Sequence, residues 1–149
     1  GDITDVNSRS IGIELDNDGR QPFTEPLMAA LERLLYGILA AWDIPPQNVI
    51  GHSDMAPGRK FDPGPHFNWK QLEAKGLAGK PDGPRMGSEA LTAEAFRRHA
   101  ALRGYTGQVD DASLLGAVRL RHRPDAQGAL DAADFAALQA PTKAATQVS

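Results

Sequence analysis

Gly51-His52-Ser53-Asp54-Met55-Ala56-Pro57-Gly58-Arg59-Lys60-Phe61-Asp62-Pro63-Gly64-Pro65 is the stretch that organises this chain. It sets an imidazole, an ammonium and a carboxylate on one glycine- and proline-rich loop, directly after a short apolar run. Neutral imidazole and carboxylate oxygen are the ligand types that suit zinc in a hydrolytic site. A lysine between them supplies fixed positive charge where an oxyanion develops. Pro57, Pro63 and Pro65 stiffen the loop, while Gly58 and Gly64 permit backbone angles that other residues avoid. Such a loop holds side chains in place without belonging to a helix or strand.

Working outward, Asn48-Val49-Ile50-Gly51 reads as a short buried strand that delivers His52. Upstream, Ser10 to Leu15 alternates, with Ile11, Ile13 and Leu15 on one face and Glu14 on the other, the pattern of a second strand. Asp16-Asn17-Asp18-Gly19 ends it with a turn. Between the two lies a helix with Thr24 as N-cap and Pro26 in its first turn. Leu27, Met28, Leu31, Leu34, Leu35, Ile38, Leu39 and Trp42 trace its apolar stripe, read as core. After the loop, Asn68 caps a short helix with Trp69 and Leu72 that stops at Gly76.

Gly79 to Gly87 is a linker by composition. Beyond it, Thr92, Asp110 or Asp111, and Asp131 each start a short helix. The first contains Phe96, His99 and Leu102; the inward residues of the second are Leu114, Leu115 and Val118, and of the third Phe135 and Leu138. Pro141 ends the last, and the alanine-rich tail is expected to be disordered. The expected division is therefore 1–78, a linker over 79–90, a three-helix unit over 91–141 and a tail over 142–149.

Composition sets outer bounds. The chain has 149 residues and a net charge of −3, with a pI of about 5.8. An acidic chain of this kind is a poor match for nucleic acid. Without cysteine, neither a disulfide framework nor a thiolate-held metal is possible, and the redox compartment stays open. No run of 18 apolar residues is present, so no membrane span is expected.

Taken singly, each loop residue has a commonplace explanation: a packed histidine, an Asp-Pro-Gly turn, a solvated glutamate. Together they resemble the zinc-dependent N-acetylmuramoyl-L-alanine amidases of the type 2 family. The matching residues are Gly51-His52-Ser53-Asp54, Lys60, Asp62-Pro63-Gly64-Pro65 and Trp69, with Asn7 to Leu15 matching the family's glutamate-bearing strand. The resemblance covers roughly residues 1 to 76. It implies an α/β fold, a mixed sheet flanked by helices, followed here by a small three-helix C-terminal domain.

By position, the resemblance makes His52 and Asp62 zinc ligands, Lys60 the transition-state stabiliser and Glu14 the general base that later acts as an acid. Asp54 is read as a residue bracing the loop, and Arg59 as a solvated loop residue or, alternatively, a contact for a peptide carboxylate. The substrate implied is peptidoglycan or a muropeptide, cleaved between N-acetylmuramic acid and L-alanine.

One departure stands out. The family uses a third ligand, a histidine upstream of the glutamate strand, yet His52, His66, His99 and His122 all follow Glu14. The third ligand is therefore expected upstream of Gly1, where the sequence opens in mid-pattern. On that reading the chain is the C-terminal part of a longer polypeptide, its N-terminal half absent or carried on a separate chain. His66, four residues past Asp62, is a weak substitute. The three C-terminal helices resemble a peptidoglycan-binding module, loosely matched by Val118 to Pro124, Gly128 and Leu130-Asp131. That pairing favours work in the bacterial cell envelope or periplasm over cytoplasmic recycling. The competing reading is a recognition protein of the same fold that binds wall fragments without cleaving them.

Overall fold

Thr24 and Pro26 start the longest helix, α1 (Glu25–Trp42), in the computed structural model, which describes residues 7–79 and 90–138. Asp43, in the left-handed region at φ 50, closes it. A 3-10 turn at Pro46–Asn48 leads to α2 (His52–Met55), and Asn68 caps α3 (Trp69–Ala74) by accepting from the Gln71 amide at 3.1 Å. The second half carries α4 (Ala93–Leu102), α5 (Asp111–His122) and α6 (Ala132–Ala137). Their three caps are as expected: Thr92 accepts from Ala95, Asp110 from Ser113, and Asp131 from Ala133 and Asp134. Caps of this kind stabilise by about 1 kcal/mol each.

The expected α/β fold with a mixed sheet is overturned: among the described residues there is no strand, and all regular structure is helical. Alternation states which side chains share a face, but a strand also needs a neighbour to complete its ladder. The Leu15 carbonyl instead accepts from Asn17 within a turn at 2.9 Å, and Val49 donates to Pro46 at 3.1 Å. The facing survives in extended backbone. Ile13 and Leu15 pack on the core, Glu14 is exposed, and Ile11 and Ile50 remain outside.

Two apolar clusters form. Met28, Leu31 and Leu35 of α1 meet Phe67, Trp69, Leu72, Leu77 and Ala78, while Phe96, Leu114, Val118, Phe135 and Leu138 centre the second. The α1 stripe was read too broadly, since Leu34 and Trp42 are exposed. The first cluster covers only one edge of that stripe. Buried Glu32 sits there instead, accepting from Lys75 at 2.5 Å and Gln71 at 2.8 Å, which fastens α1 to the end of α3.

The arginine run of α5 is not a solvated helix end. Arg119 and Arg121 are buried because each guanidinium has partners. Arg119 forks onto Asp134 at 3.0 and 2.7 Å and reaches the Gly128 and Ala129 carbonyls. Arg121 turns the other way, to Glu73 at 2.6 Å and the Gly79 carbonyl at 2.8 Å. Helix α5 thereby joins the two clusters and packs on α2.

The linker read over 79–90 lies almost wholly outside the described residues, as do Gly1, the Pro141 stop and the 142–149 tail. No described helix is long and apolar enough to cross a membrane.

Candidate functional site

The glycine-proline loop is closed by its own backbone. The Ser53 amide donates to the Asp62 carbonyl at 3.0 Å, and both Arg59 and Lys60 donate to Ala56. This fold-back brings together residues ten apart, so that His52 Nδ1 lies 3.0 Å from Asp62 Oδ2. Gly51 has no substitute here. A Cβ added to it would stand 2.9 Å from Pro63 Cδ and 3.2 Å from the Trp69 ring, so only glycine lets the chain pass the Asp-Pro-Gly-Pro run.

The pair faces solvent, with the His52 side chain 42% and the Asp62 side chain 62% exposed, so an ion and a substrate can reach it. A nitrogen and a carboxylate oxygen brought within hydrogen-bond distance on a constrained loop form a donor set that zinc accepts. Two donors are fewer than the three protein ligands of a catalytic zinc site. Among the described residues no cluster of three His, Cys, Asp or Glu side chains assembles, so His66 does not join the pair. The third ligand expected upstream of Gly1 has no counterpart to test, because the described residues begin at Asn7. Glu14, Arg59 and Lys60 are all exposed. The structure thus unites His52 with Asp62 and leaves Glu14, Lys60 and Arg59 at the surface.

Behind the pair, Asp54 does what its spacing suggested. Its Oδ2 accepts from the Gly51 amide at 2.8 Å. Its Oδ1 takes a bond the sequence did not reveal, from the Tyr105 hydroxyl at 2.6 Å. Burial pushes the Asp54 carboxyl upward, opposed by those two bonds and by the charge of Arg121. Burial and the nearby Asp54 likewise push the Tyr105 phenol upward, so it stays protonated and donating.

A groove of about 330 Å³ runs between the two halves, lined by Phe23, Met28, Pro65, Trp69, Arg121 and His122 among others. His122 Nδ1 is buried there without a partner. Burial, with the charges of Arg121 and Arg103, pulls its pKa down from 6.5 to about 3.

Residues 1–65 match the N-acetylmuramoyl-L-alanine amidase family model, Amidase_2. This segment holds His52, Lys60, Asp62 and Glu14, and supports the type 2 amidase reading over that span. The chain is 44% identical over 92 residues to N-acetylmuramoyl-L-alanine amidase AmiD of Escherichia coli K12, covering 56% of this chain and 33% of that one. It is similar in structure to the E. coli amidase AmiD in complex with anhydro-N-acetylmuramic acid-L-Ala-D-gamma-Glu-L-Lys. That likeness has a TM-score of 0.68 and 30% identity, over 78% of this chain and 51% of AmiD.

A third likeness is to AmpDh3 of Pseudomonas aeruginosa in complex with anhydromuramic pentapeptide, with a TM-score of 0.63 and 35% identity. It covers 83% of this chain and 55% of AmpDh3. Coverage on this scale extends past residues 1–65 into the C-terminal helices. The chain spans about a third of the length of the curated amidases it matches.

Proposed function

We propose that this protein hydrolyses the amide between N-acetylmuramic acid and L-alanine in muropeptides or peptidoglycan. The observation that carries this is the solvent-facing His52–Asp62 pair, 3.0 Å apart on a loop within the amidase segment. The substrates bound by the similar AmiD and AmpDh3 point the same way, toward an anhydromuramyl peptide.

In this reading His52 and Asp62 would hold zinc, together with a third donor that is not among the described residues. Zinc, when bound, supplies Lewis acidity and lowers the pKa of water toward about 7. Lys60 sets its ammonium against the negative charge that grows on the amide oxygen as water attacks. Removing such a stabiliser costs roughly 10²–10³ in rate. Glu14 takes the proton from the attacking water and delivers it to the departing L-alanine nitrogen, one carboxylate acting as base and then acid. Arg59, exposed on the same loop, meets a carboxylate of the stem peptide. In this reading the protein acts in the bacterial cell envelope or periplasm, with cytoplasmic muropeptide recycling as the alternative.

The test is incubation of the natural polypeptide, zinc present, with anhydro-N-acetylmuramyl-L-Ala-D-γ-Glu-L-Lys. Mass spectrometry would detect the freed tripeptide and the anhydro sugar acid. Loss of that product in Lys60→Ala and Glu14→Gln is expected. Substrate binding with no product would transfer the chain to the recognition-protein reading.

A further inference from the structure

We propose that Tyr105, from the C-terminal helical unit, is a positioning residue for His52, acting through Asp54. The inference rests on the metal-site reading of His52 given above, and on three observations independent of it.

The first is the bond sequence. Asp54 spends one oxygen on Gly51, the residue just before His52, and the other on Tyr105, at 2.8 and 2.6 Å. Gly51 and Asp54 bracket His52 in the single turn of α2. A carboxylate bonded on both oxygens has a fixed plane, and so fixes the backbone on either side of the imidazole.

The second is the rigidity of the donor. Tyr105 is buried within the helical unit's apolar cluster. Its backbone amide donates to Ala100 at 3.1 Å, and Gly104, at φ +93, makes the turn that presents it. A hydroxyl held this way is a fixed reference point.

The third is that the same unit grips the loop elsewhere. Gly58, at φ +72, approaches α5 so closely that a Cβ would lie 2.7 Å from Ser113 Oγ. Arg121 stands over Trp69, whose ring also abuts Gly51. The helical unit therefore serves the site as a brace, whatever else it binds. A buried polar pair contributes little stability over an apolar one of equal size, but it sets direction.

The experiment uses the natural polypeptide as parent, Tyr105→Phe, Asp54→Asn and, as a control for general loosening, Asp131→Ala, which removes the α6 cap and none of the bonds at Gly51, Asp54 or Tyr105. Two quantities are read: hydrogen exchange of the Gly51 amide and zinc affinity by chelator competition. Tyr105→Phe is expected to weaken zinc binding about tenfold, the lower end for groups that support a ligand from behind. It should also speed Gly51 exchange about fivefold or more. Asp131→Ala should lower the melting temperature and change neither.

Unchanged values in Tyr105→Phe, or equal changes in Asp131→Ala at matched stability, would overturn the proposal. If Tyr105→Phe does not fold, Asp54→Asn decides. It leaves one acceptor oxygen for two donors, so whichever way the amide turns one of the two bonds is lost, and unaltered exchange and affinity would sink the brace. A parent that binds no zinc would overturn the metal reading instead, and the Gly51 exchange rates alone would then decide for or against the brace.

Discussion

Arg121 stands over the Trp69 ring, its guanidinium carbon 3.9 Å from the ring centroid, and so couples α5 to the first turn of α3. The same side chain reaches Glu73 at 2.6 Å, in surroundings where both partners are nearly enclosed. A charge deprived of its partner in such a place is expensive, typically about 3–5 kcal/mol. Arg121→Ala should therefore destabilise the protein by about that much, measured by urea unfolding. Arg121→Lys should fall between, because lysine keeps the charge and loses the planar fork. A loss under about 1 kcal/mol in Arg121→Ala would mean the two halves do not depend on this contact.

Gly58 gives a second handle on the same seam. Its φ of +72 alone disfavours a side chain by about 1–2 kcal/mol, and Ser113 leaves no room for one. Gly58→Ala should lower the melting temperature, while Gly12→Ala, where nothing lies within 4 Å, should not. Equal melting points for the two variants would contradict the close approach of loop and α5.

Asp134 is the buried centre of the helical unit. Burial pushes its carboxyl up, but bonds from Arg119 and the Asp131 amide outweigh this and the net shift is downward. A depressed carboxylate contributes stability above its ordinary value, lost as the pH falls through the folded one. Arg119→Met takes away the bidentate partner of Asp134 but leaves it Arg123 at 2.6 Å, so it should cost about 3 kcal/mol at neutral pH, the lower end for a broken buried pair. That difference should shrink under acid, where the carboxylate is protonated. Urea midpoints at pH 7 and pH 3 would show whether it does.

His122 works in the same direction for the opposite reason. The fold holds it neutral down to about 3, against an ordinary 6.5. Above 6.5 neither state binds the proton and the residue has no effect. As the pH drops below 6.5 the unfolded chain takes a proton that the fold refuses. Stability then falls by about 1.4 kcal/mol per unit toward pH 3. His122→Leu should flatten that part of the profile. A parent as stable at pH 5 as at pH 7, with His122→Leu unchanged alongside it, would contradict a buried neutral imidazole.

How legible was this in the sequence? The caps were, because Thr92, Asp110 and Asp131 act on amides two or three residues away and need no tertiary context. That His52 and Asp62 share one loop was also legible, while their joint role rested on the resemblance and not on the loop's own sequence. The strands over Ser10 to Leu15 and Asn48 to Gly51 were not. Alternation predicts facing, and pairing depends on a partner the sequence of one segment does not contain. The fate of the arginines was missed for a related reason. Arg119 and Arg121 read as surface charge until Asp134, Glu73 and Gly79 arrive from 15, 48 and 42 residues away. Tyr105 left no local signal at all: Asp54 announced that it needed a donor, and nothing in its neighbourhood said which.

The most direct test of the central claim is zinc retained per chain by the natural polypeptide, after equilibration and removal of free metal, beside His52→Ala and Asp62→Ala. The account predicts about one zinc in the parent and almost none in either variant, with all three folded. A folded parent that retains no zinc, or a His52→Ala variant that retains as much as the parent, would contradict it.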